Sequence, residues 1–283
     1  MQEGNDLEKL LQGRVTESMV LRVGRSKFGT CLWLLSYPGK LKKSLSYVYR
    51  PDEKIMARDG FMPGQSFSAP GFLEAFLSYI KLIMAPDFIL DEKKVEASKN
   101  HIRVEAEVLE DGVTMPLILN FTENNEEIAP EKIRFKPKTI SDPPADVFIF
   151  PAERRAALIM AGVLKSLEYT NDFGLFAELY DIASNIPCDG TLLFVSMKKA
   201  LLEKEVDLTA GRRSCFETFA ADRRMKKRWD QYKKRNELSV TWEELLNELK
   251  AFFDPIFEAI ASEEEGRSFF GDWIPELGRY LDA

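Results

Sequence analysis

The sequence predicts a mixed protein of the α/β or α+β class, with a β-rich N-terminal part and a mainly helical C-terminal part. Apolar and charged residues alternate on both sides of Asp111-Gly112, which is typical of two strands joined by a tight turn. In the C-terminal half, apolar residues instead recur at helical spacing. From this change in strand content we expect a mixed α/β domain at 1–185 and a helical domain at 186–283.

The β-hairpin around Asp111-Gly112 is the strongest local pattern in the chain. Apolar side chains occupy every second position of both strands, so that one face of the hairpin would be buried. These positions are Ile102, Val104, Ala106 and Val108 before the turn, and Val113, Met115, Leu117, Leu119 and Phe121 after it.

Glycine and proline divide the rest of the N-terminal part into short elements. A short helix is predicted to begin at Asp6 and to stop at Gly13. Three strands are predicted at 19–23, 30–35 and 44–49. A helix is predicted between Pro70 and Ala85, because four apolar residues recur at every fourth position, namely Phe72, Phe76, Ile80 and Met84.

The remaining elements follow from the same rules. Strands are predicted at 132–135 and 147–150, and Pro151 ends the second one. Thr241 and Glu244 have the spacing of a capping box and are expected to begin a long helix. The aromatic residues of the segment 269–280 predict a tail that packs on this helical part. Further helices are predicted at 153–167, 172–183, 192–205 and 223–235.

The composition is that of a globular protein with reduced thiols. The chain has 283 residues, 45% hydrophobic and 30% charged, which is enough to bury a core without metals or disulfides. Its apolar stretches are shorter than the roughly 20 residues that cross a bilayer, and its acidic N-terminus is unlike a secretory signal. Cys31, Cys188 and Cys215 are odd in number and far apart. We therefore expect a cytoplasmic protein without a membrane partner.

The side-chain inventory argues against several catalytic chemistries. His101 is the only histidine, which excludes His-based metal clusters and leaves Ser-His-Asp or Cys-His catalysis dependent on one residue without a flanking motif. Carboxylates are plentiful, so an acid-base pair stays open, but no pair stands out. The inventory favours a protein that is not an enzyme without settling the question, and it predicts no catalytic residue, no metal and no cofactor, with ATP as the alternative.

One glycine-containing segment has the spacing of a phosphate-binding loop. After the predicted strand at 19–23, Gly24 and Gly29 stand in a G-x-x-x-x-G arrangement. Thr30 and Cys31 occupy the positions where such a loop has Lys and Ser or Thr. The segment is either an ordinary hairpin turn or a degenerate nucleotide site. In the second case Gly24, Lys27, Gly29 and Thr30 would bind ATP.

A second segment raises the possibility of nucleotide binding. Residues 147–154, Val-Phe-Ile-Phe-Pro-Ala-Glu-Arg, resemble the strand and Pro-Ala-Glu-Arg segment of ABC-type, SMC-like bacterial ATPases. The resemblance covers about residues 15–185. The resemblance implies an ATP-binding lobe. The sequence lacks the downstream Ser-Gly signature and a strand ending in Asp-Glu, so the resemblance implies either a scaffold or a nucleotide-binding protein that is deficient in hydrolysis. An ordinary strand-to-helix junction also explains the segment Pro151–Arg154.

The most unusual feature of the sequence is its charge distribution. Residues 212–235 carry ten Lys or Arg and three acids, or +7, whereas the rest of the chain carries 29 bases and 43 acids, or −14. Met225, Trp229 and Tyr232 form a narrow apolar seam on the predicted helix. Its cations are Arg223, Arg224, Lys226, Lys227, Arg228, Lys233, Lys234 and Arg235.

This basic helix carries the functional prediction. It would dock by its apolar seam and contact nucleic acid or an acidic protein partner with its cations. A solvated helix that pairs with the acidic remainder of the same chain is the alternative. We therefore expect a non-enzymatic binding or assembly subunit of an intracellular complex, and, as the rival function, a nucleotide-binding ABC-like protein.

Overall fold

The computed structural model describes residues 2–26, 28–35, 44–51, 65–85, 88–110, 112–124, 128–262, 269 and 271–281. The chain divides into two compact units, Met1–Pro151 and Ala152–Ala283. The first unit is mixed α/β and the second is mainly helical, which confirms the predicted fold class. The division lies before the predicted boundary at 185, because the two helices that follow Pro151 belong to the core of the second unit.

In the part of the N-terminal unit that the structure describes, two helices pack on a mixed sheet. The helices are α1 (Gln2–Arg25) and α2 (Phe72–Met84). The strands are β1 (Leu32–Leu34), β2 (Ser44–Tyr49), β3 (Ile89–Ala97), β4 (His101–Glu110), β5 (Val113–Glu123), β6 (Glu131–Phe135) and β7 (Ala145–Ile149). Of these strands, β3 is the one that sequence reasoning missed.

The described strands of this unit form one sheet in the order β3-β4-β5-β2-β1-β7-β6. β2 runs parallel to β5 and β1 runs parallel to β7, whereas the other neighbours are antiparallel. The predicted hairpin is confirmed as β4 and β5, with Ile102 opposite Phe121 and Val104 opposite Leu119. The apolar side chains Ile102, Val104, Ala106 and Val108 of β4 and Met115, Leu117, Leu119 and Phe121 of β5 are buried, whereas Val113 next to the turn is 37% exposed. The buried face fixes the register, because a one-residue slip would expose it.

The predictions for the first 25 residues are wrong in two respects. The helix α1 continues through Gly13, and the predicted strand at 19–23 is part of it. Met19, Val20, Leu21 and Val23 are all at most 1% exposed, so successive residues of this end of α1 are buried on several sides of the helix. A helix that is buried on all sides lacks the apolar stripe by which a helix is told from a strand in a sequence.

The predicted helix α2 is confirmed, and it covers the sheet with an aromatic cluster. Phe72, Phe76, Ile80 and Met84 are the buried side chains of α2. Phe76 packs edge-on against Phe121 of β5, with ring centroids 4.8 Å apart. The ring centroid of Tyr49 in β2 lies 5.5 Å from that of Phe72. The apolar stripe of α2 therefore accounts for its position on the sheet.

The C-terminal unit is a helical core with a small sheet. Its helices are α3 (Ala152–Ser166), α4 (Phe173–Asn185), α5 (Gly190–Glu203), α6 (Ala210–Arg213), α7 (Cys215–Ala221), α8 (Arg223–Arg235) and α9 (Trp242–Ala261). Its strands are β8 (Cys188–Asp189), β9 (Asp272–Ile274) and β10 (Arg279–Leu281), in the order β10-β9-β8. Among the described residues of this unit, Leu167–Tyr169 and Pro275–Leu277 form 3₁₀ turns.

Two predictions for this unit are confirmed in detail. Thr241 caps α9, because its Oγ1 accepts a hydrogen bond from the Glu244 N–H at 3.2 Å while the Glu244 carboxylate accepts one from the Thr241 N–H at 2.8 Å. The tail packs on the unit through Trp273, which is fully buried and donates a hydrogen bond to the Ala183 carbonyl at 2.6 Å.

Among the described helices, none combines the length and the apolar character that a membrane span requires.

Candidate nucleic-acid interface

The basic segment forms helix α8, which begins at a strong N-cap. The Asp222 side chain accepts hydrogen bonds from the backbone N–H groups of Arg224 and Met225, at 2.7 and 3.3 Å. Its carboxylate also offsets two arginines in the first turn, where the helix dipole disfavours cations. At the other end, the dipole favours the basic residues of the last turn, Lys233, Lys234 and Arg235.

The apolar seam fixes which side of α8 faces the core. Met225 is 1% exposed and Trp229 is fully buried. The Trp229 indole N–H donates a hydrogen bond to the Val240 carbonyl at 3.2 Å, and its ring stacks on Tyr232 with centroids 5.7 Å apart. The predicted seam is therefore confirmed. Because Trp229 is a core anchor, it offers no surface on which a base could stack.

Three cations on the flanks of the seam are tied to the same unit. Lys226 pairs with Glu243, and its hydrogen bond lowers the pKa of that carboxyl. Arg228 donates to Asn171 Oδ1 at 2.6 Å and lies over the Phe173 ring. Arg228 also donates to the Thr170 and Asn171 carbonyls, and Lys233 donates to the Ser239 carbonyl. These contacts hold the helix in place.

The other five cations form an outward surface, which we call the basic face. Its members are exposed: Arg223, Arg224, Lys227, Lys234 and Arg235. At about 100° per residue, Arg223, Lys227 and Lys234 lie within one narrow stripe opposite the seam, and the other two lie beside it. Within the described part of the chain, only Arg224 of these side chains has an ion pair, with Asp222 at 3.8 Å. Asp230 is the one acid on this side of α8.

The predicted phosphate loop has a different structural context from the expected one. Gly24 lies in the last turn of α1, so a helix and not a strand precedes the loop. The backbone N–H groups of Ser26, Gly29 and Cys31 donate to carbonyls of the same segment at 3.1, 3.1 and 2.9 Å. A phosphate loop requires such groups to be available to the ligand. Thr30 is exposed, and Lys27 lies outside the described residues.

Close packing explains both glycines of this segment. A Cβ on Gly24 would lie 2.7 Å from the Asp146 carbonyl oxygen, so glycine lets the end of α1 approach β7. A Cβ on Gly29 would lie 2.8 Å from the Gly24 carbonyl oxygen. The segment is a helix-to-strand connection rather than the predicted strand-to-strand hairpin turn. Nucleotide binding by Gly24, Lys27, Gly29 and Thr30 stays a prediction without support from this geometry.

The Pro-Ala-Glu-Arg segment has structural contacts within the C-terminal unit. The Glu153 carboxylate accepts a hydrogen bond from the Asp189 N–H at 3.0 Å. The Arg154 side chain is 1% exposed and donates to both oxygens of Glu203, at 2.8 and 2.7 Å. These bonds join α3 to Asp189, directly before α5, and to Glu203, at the end of α5. An ordinary strand-to-helix junction therefore accounts for the Pro-Ala-Glu-Arg segment.

Within the described residues, no group of three or more His, Cys, Asp or Glu side chains could hold a metal ion.

Comparison with known proteins gives a likeness of fold. No protein family model matches the sequence. No curated protein matches it either. The solved structure of JHP933 from Helicobacter pylori is similar over 91% of this chain and 95% of that chain, with a TM-score of 0.50 and 10% identity.

A second similar structure is also from H. pylori and is described as a "putative nucleotidyltransferase". It has a TM-score of 0.36 and 10% identity, and the match covers 92% of this chain and 98% of that chain. At 10% identity, the likeness to JHP933 shows a shared fold and no shared site. The second likeness is too low to support an argument.

Proposed function

We propose that this protein binds nucleic acid through the basic face of α8, as a non-enzymatic binding or assembly subunit. The observation that carries the proposal is the division of the eight cations. Three of them, Lys226, Arg228 and Lys233, contact other segments of the same unit. The five of the basic face are exposed, and among these only Arg224 has an ion pair in the described part of the chain, with the neighbouring Asp222. A helix that only needed to pair with its own unit would not leave five cations on one exposed side.

The acidic character of the rest of the chain restricts the proposed contact with nucleic acid to the basic face. Outside residues 212–235 the chain carries a net charge of −14, which repels a polyanion. From Arg223 to Lys234 the helix rises by about 16 Å, which is the axial length of about five base pairs. The basic face can therefore reach several phosphates of one duplex or one folded strand.

The chemistry of the face predicts little choice of sequence. Its members are guanidinium and ammonium groups, which bind phosphate, and Trp229 is unavailable for stacking. Five phosphate contacts would give a salt slope of about −4.5 on duplex DNA and about −3.5 on a single strand. An acidic protein surface offers the same charges, and the following experiment separates the two partners.

The test is fluorescence anisotropy with short single- and double-stranded DNA and RNA across a salt series. The test variant is Arg223→Glu, Lys227→Glu, Lys234→Glu, which reverses the stripe opposite the seam. Its matched control reverses three exposed lysines elsewhere, Lys99, Lys136 and Lys204, and changes the net charge of the chain equally.

The proposal predicts that the test variant binds at least tenfold more weakly than the wild type and that its salt slope loses about three units. The control variant should keep the wild-type slope and most of the affinity. Equal losses in both variants would mean that overall charge, and not the basic face, governs binding. Absence of binding to every nucleic acid at low salt would overturn the proposal and favour an acidic protein partner.

A further inference from the structure

One aromatic side chain of the C-terminal unit is largely exposed to solvent. Tyr169 is 78% exposed, and among the aromatic residues that the structure describes it is the one in the exposed class. It lies in the connection between α3 and α4, at the end of the 3₁₀ turn Leu167–Tyr169. A single exposed ring has no function by itself, so the surroundings of Tyr169 decide what it can bind.

The turn that carries Tyr169 has an unusual backbone conformation. Leu167 has a φ of 46°, in the left-handed region that a leucine rarely adopts. Its carbonyl accepts a hydrogen bond from the Thr170 N–H at 3.0 Å, and Thr170 is buried. Residues other than glycine keep this conformation only where the surrounding contacts impose it, and such residues cluster at ligand sites. The contacts on both sides of Tyr169 therefore fix the turn while the ring stays outside.

Helix α8 supplies one of the contacts that fix this connection. Arg228 donates to the Thr170 and Asn171 carbonyls at 3.4 and 3.3 Å. Asn171 is two residues beyond Tyr169, so their Cα atoms are at most about 8 Å apart. Tyr169 therefore lies beside the flank of α8 from which Arg228 projects.

Two members of the basic face lie on the same flank of α8. At about 100° per residue, Arg224, Arg228 and Arg235 fall within about 40° of one another around the helix. The Arg224 side chain is 88% exposed, and Arg235 is also exposed. The basic face therefore extends towards the connection that carries Tyr169.

Two acids of the connection restrict where a phosphate can lie. Glu168 is exposed next to Tyr169, although adjacent side chains of a 3₁₀ turn point about 120° apart. The Asp172 carboxylate caps α4 and accepts from the Gly174 N–H at 2.8 Å. These carboxylates repel phosphate, whereas Arg224 and Arg235 attract it. A bound strand would therefore run its phosphates along α8 and present a base, rather than a phosphate, to Tyr169.

We infer that Tyr169 stacks on a base of a single-stranded nucleic acid whose phosphates bind the basic face, an inference that rests on the proposed function. A side-chain ring can stack on a base that is unpaired and splayed out, which a regular duplex does not offer. The ligand class is therefore a single strand or the unpaired part of a folded one. Because every base has a flat face, this contact adds affinity without adding a choice of sequence.

The experiment is fluorescence anisotropy of the full chain with four labelled probes. They are an oligothymidylate, an oligouridylate, an abasic strand of the same length, and a duplex. The abasic strand has the same phosphates without the bases. We expect Tyr169→Ala to weaken the binding of the oligothymidylate, the oligouridylate or both at least fivefold. The same variant should bind the abasic strand and the duplex as the wild type does, with an unchanged salt slope.

Two further variants separate stacking from a general effect of the substitution. Tyr169→Phe keeps the ring and should bind every probe as the wild type does. The matched control is Leu202→Ala, which removes another exposed apolar side chain of the same unit, 80% exposed, and should also bind as the wild type does. Photo-cross-linking with iodouracil in the strand, read by mass spectrometry, should attach the base to Tyr169.

The outcomes distinguish this inference from the proposed function. If Tyr169→Ala binds both base-carrying single strands as tightly as the wild type, or loses as much affinity for the abasic strand or the duplex, Tyr169 does not stack on a base. The proposed function still stands in that case, provided that reversal of Arg223, Lys227 and Lys234 weakens binding in the same assay. Absence of binding to all four probes overturns both.

Discussion

Replacement of Arg154 by alanine should destabilise the C-terminal unit far more than the same replacement of Arg155. Both arginines lie on α3, and each makes two hydrogen bonds to one carboxylate, that of Glu203 or that of Glu178. Their burial differs, because Arg154 is 1% exposed and Arg155 is 22% exposed. The two variants therefore compare one chemical change at two depths.

The expected magnitudes follow from these contacts. Arg154→Ala removes a buried guanidinium, which leaves the Ser196 carbonyl without its 3.3 Å hydrogen bond and Glu203 without its partner. Breaking a buried ion pair costs about 3 to 5 kcal/mol. Since Glu203 is 36% exposed and water can solvate it, we take the lower end, about 3 kcal/mol. The more exposed pair of Arg155 should be worth about 1 kcal/mol.

Urea denaturation followed by tryptophan fluorescence measures both losses. Trp229, Trp242 and Trp273 are buried in this unit, and a Trp33→Phe background removes the signal of the other one. With a slope of about 1 to 3 kcal/mol/M, the midpoint should fall by about 1 to 3 M for Arg154→Ala and by at most about 1 M for Arg155→Ala. Equal shifts of the urea midpoint in the two variants, at an unchanged denaturant slope, would show that burial of the arginine does not determine the loss of stability.

Three further predictions concern a buried carboxylate, a buried thiol and a helix cap. Glu17→Gln should destabilise the N-terminal unit by about 2 kcal/mol in urea, because the carboxylate accepts from the N–H groups of Lys138 and Thr139 at 2.9 and 2.7 Å; a loss below about 0.5 kcal/mol would contradict this account. Burial raises the pKa of Cys215 from 9.0 to about 12. At pH 8 the thiolate form of Cys215 should therefore be about a thousandfold less populated in the folded protein than in the chain unfolded by guanidinium. Iodoacetamide labelling of Cys215, measured by mass spectrometry, should be slower in the folded protein by a similar factor. Equal labelling rates in the two states would show an accessible thiolate in the folded protein. Thr241→Ala should cost about 1 kcal/mol, and Thr241→Ser much less, since serine keeps the capping hydroxyl.

The elements that could be predicted from the sequence are those with one buried face. The strands β4 and β5 alternate, and α2 repeats its apolar residues every fourth position, so the period alone identifies them. The end of α1 has no period, because Met19, Val20 and Val23 are all buried. β3 is missed for the opposite reason. Its sequence Ile-Leu-Asp-Glu-Lys-Lys-Val-Glu-Ala is mostly charged, as suits an edge strand that must not pair further.

The candidate interface was predictable in part. The eight cations and the seam of α8 are visible in the sequence, and a helical projection places Arg223, Lys227 and Lys234 together. Their division into tied and exposed groups is not visible, because the partners of the tied ones belong to other segments, such as Glu243 and Asn171.

The position of α1 has a consequence for synthesis on the ribosome. This helix packs against β7, where Gly24 approaches Asp146, yet β7 is the last strand of the N-terminal unit to be made. At about 5 to 20 residues per second, the apolar end of α1 waits about 6 to 25 s for its partner. The β3–β4–β5 meander closes locally and folds without this delay. During that interval the nascent chain exposes an apolar helix, so a chaperone that recognises such segments should bind it before the sheet is complete.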